Sequence, residues 1–152
     1  MNIIMDISQC RLENIHLLET KSNIVMDGNF TKIIYSDDSI SINGVYVLAP
    51  FLVSNINDGF YNNNLIYFNP LQNAALIKEI GRLEHNVLSY YKKVRSIDKI
   101  NGSPLMSQLH NGNVKVYRET AHIHGSKYFL KISGVWENTS EIGITYKFIE
   151  TN

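Results

Sequence analysis

His122 and His124 are separated by one residue. In an extended strand that spacing puts both imidazoles on one face, where they would chelate a single metal ion. A stable site needs a third ligand, and position in the chain places no acidic or imidazole side chain beside the pair. Gly125 and Ser126 follow at once, so the segment reads as a solvated loop, and no metal or other cofactor is expected. Asp37 and Asp38 could form half of a carboxylate site, but two adjacent acids between strand-forming runs read first as a turn. The lone Cys10 excludes an intramolecular disulfide framework and any multi-cysteine zinc site, and its neighbours Ser8, Gln9 and Arg11 provide no activated-thiol context. Nucleophile elbows, phosphate-binding loops, dinucleotide fingerprints and zinc-protease helices are all missing from the sequence. The expected protein is not an enzyme.

A second constellation is more coherent. Single-strand nucleic-acid binders combine a basic groove with aromatic platforms on which bases stack. The C-terminal third offers Lys115, Tyr117, Arg118, Tyr128, Lys131, Trp136, Tyr146 and Lys147. Strand alternation divides them, because successive side chains point to opposite faces. Lys131 falls opposite Tyr128 and Trp136, and Lys147 falls opposite Tyr146 and Phe148. The candidate contacts are Lys115, Arg118, Lys131 and Lys147 to phosphate, with Tyr117 and Trp136 stacking on bases. The side carrying Lys131 and Lys147 is the candidate surface; the side carrying Leu130, Ile132, Ile144 and Phe148 is core. Charge agrees with a modest site. The chain is neutral overall, yet residues 1–76 hold three basic side chains (Arg11, Lys21, Lys32) against seven acidic ones, for −4, and residues 77–152 hold eleven against seven, for +4. A neutral total argues against strong non-specific nucleic-acid affinity, and the split permits a weakly basic face on the C-terminal half.

These residues need elements to position them. Residues 23–26, 30–35 and 40–48 are rich in β-branched and aromatic side chains and read as strands, with Asp37-Asp38 turning the second into the third. Asn43-Gly44 interrupts the last run. Either it is a tight turn between short strands or Gly44 marks a bulge, and the very short arm 39–42 favours the bulge. Residues 54–64 contain five Asn and read as an exposed loop before a short strand at 65–68. Asn69-Pro70 would cap and open a long helix over about residues 71–95. Its stripe is Leu76, Ile77, Ile80, Leu83, Val87, Tyr91 and Val94, and Lys92, Lys93 and Arg95 crowd its carbonyl end. Gly81 within it would mark close packing against the sheet. A short helical turn from Ser103-Pro104 to Leu109 stops at Asn111-Gly112. From about residue 113 to 151 the alternation predicts a three-stranded antiparallel meander, with a polar connection over 137–141. The order of the first twenty residues is left open.

One domain spanning 1–152 is expected, with 44% hydrophobic and 18% charged residues marking it as globular. The fold class is α+β and β-rich: either an OB-like barrel, in which a helix follows the third strand, or an antiparallel sheet packed by one long central helix. No apolar run approaches the roughly 18 residues that cross a bilayer, and the N-terminus lacks a signal-peptide pattern, so a soluble intracellular protein without membrane contact is expected. Eighteen Asn and twenty Ile against four Arg are the vocabulary of an AT-rich genome.

Two pairs of stretches carry a resemblance. Phe30-Thr-Lys-Ile-Ile-Tyr-Ser with Ser41-Ile-Asn-Gly-Val-Tyr-Val is one pair, and Phe129-Leu-Lys-Ile-Ser-Gly-Val-Trp-Glu with Glu141-Ile-Gly-Ile-Thr-Tyr-Lys-Phe-Ile is the other. Together they resemble uncharacterised proteins of large nucleocytoplasmic DNA viruses, over about a third of the chain. The strand order is also similar to OB-fold single-stranded-DNA-binding proteins of phages and large DNA viruses. Those proteins commonly end in an acidic tail, whereas this sequence ends Lys147-Phe-Ile-Glu-Thr-Asn, which counts against replisome-type partner recruitment. The resemblance implies a small viral module for single-stranded DNA, acting in the infected cell's cytoplasm or nucleus or in the virion. The alternative is a non-enzymatic structural or interaction protein of a virus particle or host-takeover complex, with viral protein partners or a homo-oligomer.

Overall fold

The computed structural model describes residues 5–23, 28–58, 63–118 and 127–151. Two short 3-10 turns, Ile7–Gln9 and Leu12–Asn14, lead into β1 (Ile15–Asn23) and β2 (Gly28–Ser36). Then come β3 (Ser41–Ile42), β4 (Val45–Leu48), β5 (Val53–Asp58) and β6 (Asn63–Phe68). The long helix α1 (Ala74–Arg95) follows, then β7 (Ile100–Asn101), the short helix α2 (Pro104–Asn111), β8 (Asn113–Arg118), β9 (Lys127–Glu137) and β10 (Glu141–Thr151). The fold is the β-rich α+β class that the residue pattern implies. All ten strands join one sheet, whose main path is β1-β2-β9-β10-β8-β6-β5. Among the described residues no ladder joins β1 to β5, so the path stays open at both ends.

The hairpin of β9 and β10 is the spine. Ten registered pairs join them, and their outer edges are each shared by two strands. β2 pairs the C-terminal half of β9 and β4 pairs its N-terminal half. β7 pairs the start of β10 and β8 pairs its end, both in parallel. The three C-terminal strands therefore lie side by side, but in the order β9-β10-β8 rather than as a consecutive antiparallel meander. Alternation alone cannot choose β8's neighbour or direction. The free edge of β9 is already filled by β2 and β4, which leaves β10.

α1 is the long helix expected, and its buried stripe of Ile77, Ile80, Leu83, Val87 and Tyr91 packs into one apolar cluster with Ile33, Val45, Ile66, Val116, Leu130, Ile132, Ile144 and Phe148 from the sheet. Leu105 and Leu109 of α2 close that cluster. Three cations in the last turn of α1 complement its dipole. The helix starts later than Asn69-Pro70 suggests. The Asn69 carboxamide accepts from Leu71 N at 2.9 Å, spending the first turn on an Asx-type loop, and Asn73 becomes the cap residue. In α2, Ser103 Oγ accepts from Met106 N and Gly112 ends the helix at φ +80°. This is the start and stop its sequence announces.

Three local expectations are corrected, and one open point is filled. Asn43-Gly44 is not the favoured bulge but the alternative, a turn between two short strands, although β3 and β4 do not pair with each other as a hairpin. With φ +106° at Gly44 it hands the chain from β3, which pairs β2, to β4, which pairs β9, and a side chain there would meet Ile132 O. The Asn-rich stretch is strand on both flanks: β5 and β6 pair antiparallel, and Asn side chains hydrogen-bond on the outer face, where an alternation of Asn replaces the apolar residues that ordinarily signal a strand. Gly81 makes room for Met106 of α2 rather than for the sheet. From Met5 onward the N-terminal residues are ordered, with Met5 bridging Val47 and β1 tied to α1 by Tyr90 Oη donating to Ile15 O and Arg95 donating to Leu18 O. Residues 24–26, read as strand, lie outside the described residues.

The most consequential difference is in β9. Register shifts between Thr145 and Tyr146, where β9 carries one extra residue, Ser133. A bulge of this kind reverses the alternation beyond it. Leu130 and Ile132 face the core on one side of the bulge, and Val135 faces it on the other. Trp136 consequently stands directly opposite Gly143 on the outer face, the face of Lys131 and Lys147. Its indole lies on the glycine so closely that a Cβ would come within 2.2 Å of the ring. Substituting Gly143→Ala is expected to cost about 1–3 kcal/mol by overpacking and to red-shift the emission of the single Trp. Urea titration followed by fluorescence reads both effects, and an unchanged midpoint would show that the contact carries no weight.

Candidate nucleic-acid interface

The outer face of the sheet is built by register. Tyr46 pairs Lys131 across β4 and β9, and Lys131 pairs Lys147 across β9 and β10. The parallel ladder of β10 and β8 begins at Phe148 and Val116, and just before it Lys147 and Lys115 flank the gap where the two strands part. Lys131 and Lys147 thus stand directly across adjacent strands at a spacing of about 4.8 Å, and Lys115 on β8 continues the row across the gap. The next row is Leu48, Phe129, Ile149 and Tyr117, of which Phe129 is fully buried and Ile149 nearly so, with Tyr46 tilted against Phe129 at 5.9 Å. The lysine stems lie along apolar and aromatic surface while their ammonium groups stay outward. Lys131 Nζ is 5.3 Å from the centre of the Tyr46 ring, and Lys147 Nζ is 4.2 Å from that of Tyr117. On the half of this face between Tyr46 and the β5–β6 hairpin, the registered strand positions add Lys127 and contain no Asp or Glu.

Of the six residues singled out from sequence, Lys115, Tyr117, Lys131 and Lys147 come together. Trp136 shares their face because of the bulge at Ser133, five residues from Lys131, or roughly 16 Å along the strand. It packs against Gly143 and Gly102, with the carboxylate of Glu141 nearby. Arg118 is elsewhere. It stands opposite Glu150 on the helix side of the sheet and donates to the Asn64 carboxamide, which in turn donates to Glu150 at 3.4 Å. Glu150 and Asn64 are buried, so Arg118 serves a buried carboxylate. Sequence reasoning missed Tyr46, whose short strand β4 gave no hint that it would land beside β9.

Between β8 and β10 the sheet parts. Among the described residues β7 pairs β10 through Ile142 and β8 joins it only from Phe148, so Gly143 to Lys147 have no strand on that edge. A cavity of about 250 Å³ opens there, lined by Gln108, Lys115, Tyr117, Tyr146, Lys147 and Phe148. Tyr146 Oη donates to Gln108 Oε1 at 2.7 Å. Burial, aided by the charge of Glu84, pushes the Tyr146 phenol up to about 12, so it stays a donor. Glu84 is itself buried on α1. It accepts from Ser103 Oγ at 2.6 Å, while its second oxygen has no hydrogen-bond partner among the described residues. Burial outweighs that bond and raises its carboxyl above the usual range.

A further cavity, about 540 Å³, lies between the first 3-10 turn, the β4–β5 connection and the start of α1. Asp6 and Glu79 line it with Leu48, Leu52 and Leu76, a setting that repels a polyanion. Burial also pushes the nearby Cys10 thiol up to about 11, away from thiolate chemistry. Asp37 accepts from Ser39 N, Ser39 Oγ and Ile40 N, and these bonds hold it below its ordinary value as a turn residue joining β2 to β3. His122 and His124 lie outside the described residues. Among those described, no group of three His, Cys, Asp or Glu side chains is arranged to hold a metal, and no helix is long and apolar enough to cross a membrane. No protein-family model, curated protein or solved structure matches the chain.

Two measurements follow from this geometry. A row of like charges repels, so added salt is expected to stabilise the wild type, and Lys147→Gln should flatten that response. Losing the Tyr117 contact offsets the relief at low salt, so the salt slope of the urea midpoint is the readout. For Glu84 the folded-state value is raised. Its protonated form is compatible with the fold at low pH, and stability is lost as pH climbs from the unfolded value through the folded one. Glu84→Gln should therefore raise the thermal midpoint at pH 8 and leave it nearly unchanged at pH 4; equal shifts at both would contradict the burial effect.

Proposed function

We propose that this protein binds single-stranded nucleic acid through the outer face of its sheet, with Lys115, Lys131 and Lys147 on phosphates and Tyr46 and Tyr117 as stacking platforms. The observation that carries this reading is the acid-free row of three lysines interleaved with two exposed or half-exposed tyrosines. Single-strand sites combine these two features, base stacking being tolerant of sequence and phosphate contact sensitive to salt. Trp136 extends the surface toward the far end of β9. Arg118 drops out of the contact set, since it faces Glu150 and Asn64. The viral setting rests on the sequence resemblance alone.

A second reading has its own observation. Leu52 and Leu71 are 63% and 86% exposed, and Leu52 lines the acidic, partly apolar cavity. That side suits a protein partner or a second copy, and light scattering showing a monomer across a wide concentration range would count against self-association.

Titration of a labelled oligonucleotide by fluorescence anisotropy at about 50 mM salt should give saturable binding. With three phosphate contacts the logarithm of affinity should fall with the logarithm of salt at a slope near −2, at about 0.7 per contact for single strands. Replacing all three lysines by Gln should flatten the slope, while Tyr117→Ala should cost about 1–3 kcal/mol with the slope kept. The absence of saturable binding at low salt would overturn the proposal.

A further inference from the structure

We infer that the cleft between β8 and β10 is a single-base pocket that prefers bases presenting carbonyl acceptors, thymine or uracil over cytosine. The inference rests on reading the outer face as a nucleic-acid surface, and it adds a specificity the lysine row cannot supply, because phosphate contacts carry no sequence information.

The cleft's position comes from the parted strands. It lies at the end of the lysine row, with Lys115 and Lys147 at its rim and Tyr117 as an exposed wall. At about 250 Å³ it is smaller than the roughly 300–1,000 Å³ of a drug-sized site, which suits one flat ring entering beside Tyr117. Its polarity is one-sided. The two rim lysines are donors only. On the α2 side of the mouth, Tyr146 donates its proton to the oxygen of Gln108, which turns the amide so that its NH₂ is left to face a ligand. Among the described residues that nitrogen makes no hydrogen bond, and no carboxylate lines the cleft.

A base seated there meets amide donors. The O4 carbonyl of thymine accepts them, whereas the amino group at the same place on cytosine sets donor against donor. Gln108 is thus the specificity residue. Tyr146 is a positioning residue that acts through it, held as a donor by its buried surroundings and by Glu84 behind it.

The test uses fluorescein-labelled oligothymidylate and oligocytidylate of about twelve nucleotides, within the range of a single-strand site, titrated with wild type and with Gln108→Leu, Gln108→Glu and Tyr146→Phe. Gln108 is exposed on α2, so its variants should fold, and circular dichroism confirms this. Wild type should bind the thymidylate about tenfold more tightly. Gln108→Leu should bring that ratio near one without weakening cytidylate binding. Gln108→Glu should reverse it, since a carboxylate accepts from the cytosine amino group. Tyr146→Phe should erode the preference by freeing the amide to turn. If wild type binds both oligomers equally with the same salt slope, the pocket is wrong and the lysine face stands. A thymidylate preference that survives Gln108→Leu likewise overturns the pocket. If neither oligomer binds, both readings fall together.

Discussion

The extra residue at Ser133 is the constraint on which both faces of the sheet depend. Without it, Trp136 would continue the face of Leu130 and Ile132 and enter the core, while Val135 would point out. With it, Val135 joins Ile132 and Ile144 in the buried cluster, and the indole lies flat on Gly143. The bulge is supported from both sides. Gly134 beside it lets the Phe30 ring of β2 approach so closely that a Cβ would stand 2.6 Å from it. Across the bulge β9 changes partners, from β4 on its N-terminal side to β2 on its C-terminal side. One residue of offset therefore decides where β2 leaves the spine, where β4 enters and which aromatic rings stand outside.

The energetics of the outer face favour a surface built for something other than stability. Burying Phe129 contributes about 1.5–3 kcal/mol, and the apolar row of Phe129 and Ile149 holds this part of the sheet together. Like charges set directly across from one another work against it, at about 0.2–1 kcal/mol for each pair. The buried row outweighs the repulsion, and the ring contacts of Lys131 and Lys147 offset part of it, so the fold tolerates the three lysines. Their stems shield Tyr46, Tyr117 and the row beneath, and their charges remain available to an anion. Arg118, one strand position beyond Tyr117, shows the contrast: it is turned inward against Glu150, where its charge is used within the fold.

Much of this was legible in the sequence, for identifiable reasons. The stripe of α1, the Ser103 cap and Gly112 stop of α2, and the core face of β10 follow from local periodicity and capping chemistry. So does the division that puts Lys131 and Lys147 on the exposed side. Legibility stops where the determinant is non-local. The alternation of β8 reads the same beside β9 or β10, and only the occupied edge of β9 decides. Ser133 carries no mark of a bulge, because its identity fits a solvent position in an unbroken strand equally well. Asn55, Asn57 and Asn63 read as loop because their strands put carboxamides where an apolar pattern would announce them. Tyr46 was missed because the turn at Gly44 redirects a run that looks continuous.

The two helices also divide the labour differently from what a stripe on a wheel implies. α1 carries the core, yet its one buried carboxylate, Glu84, sits where α2 begins and accepts from the very hydroxyl that caps α2. α2 in turn holds the side chain of Gln108 against Tyr146 on β10. Gly81 is what lets the two helices come this close, since a side chain there would press on Met106. A chain of contacts thus runs from a desolvated acid, through a helix cap, to an amide at the mouth of the cleft beside Lys115 and Lys147. Every link is short and local, so the orientation of Gln108 is set by the packing of α1 on α2 rather than by the sheet that displays the lysines. The charge row and the cleft can then change independently: the sheet's register fixes where phosphate-sized charge is presented, and the helix pair fixes which hydrogen-bonding groups meet whatever enters beside it.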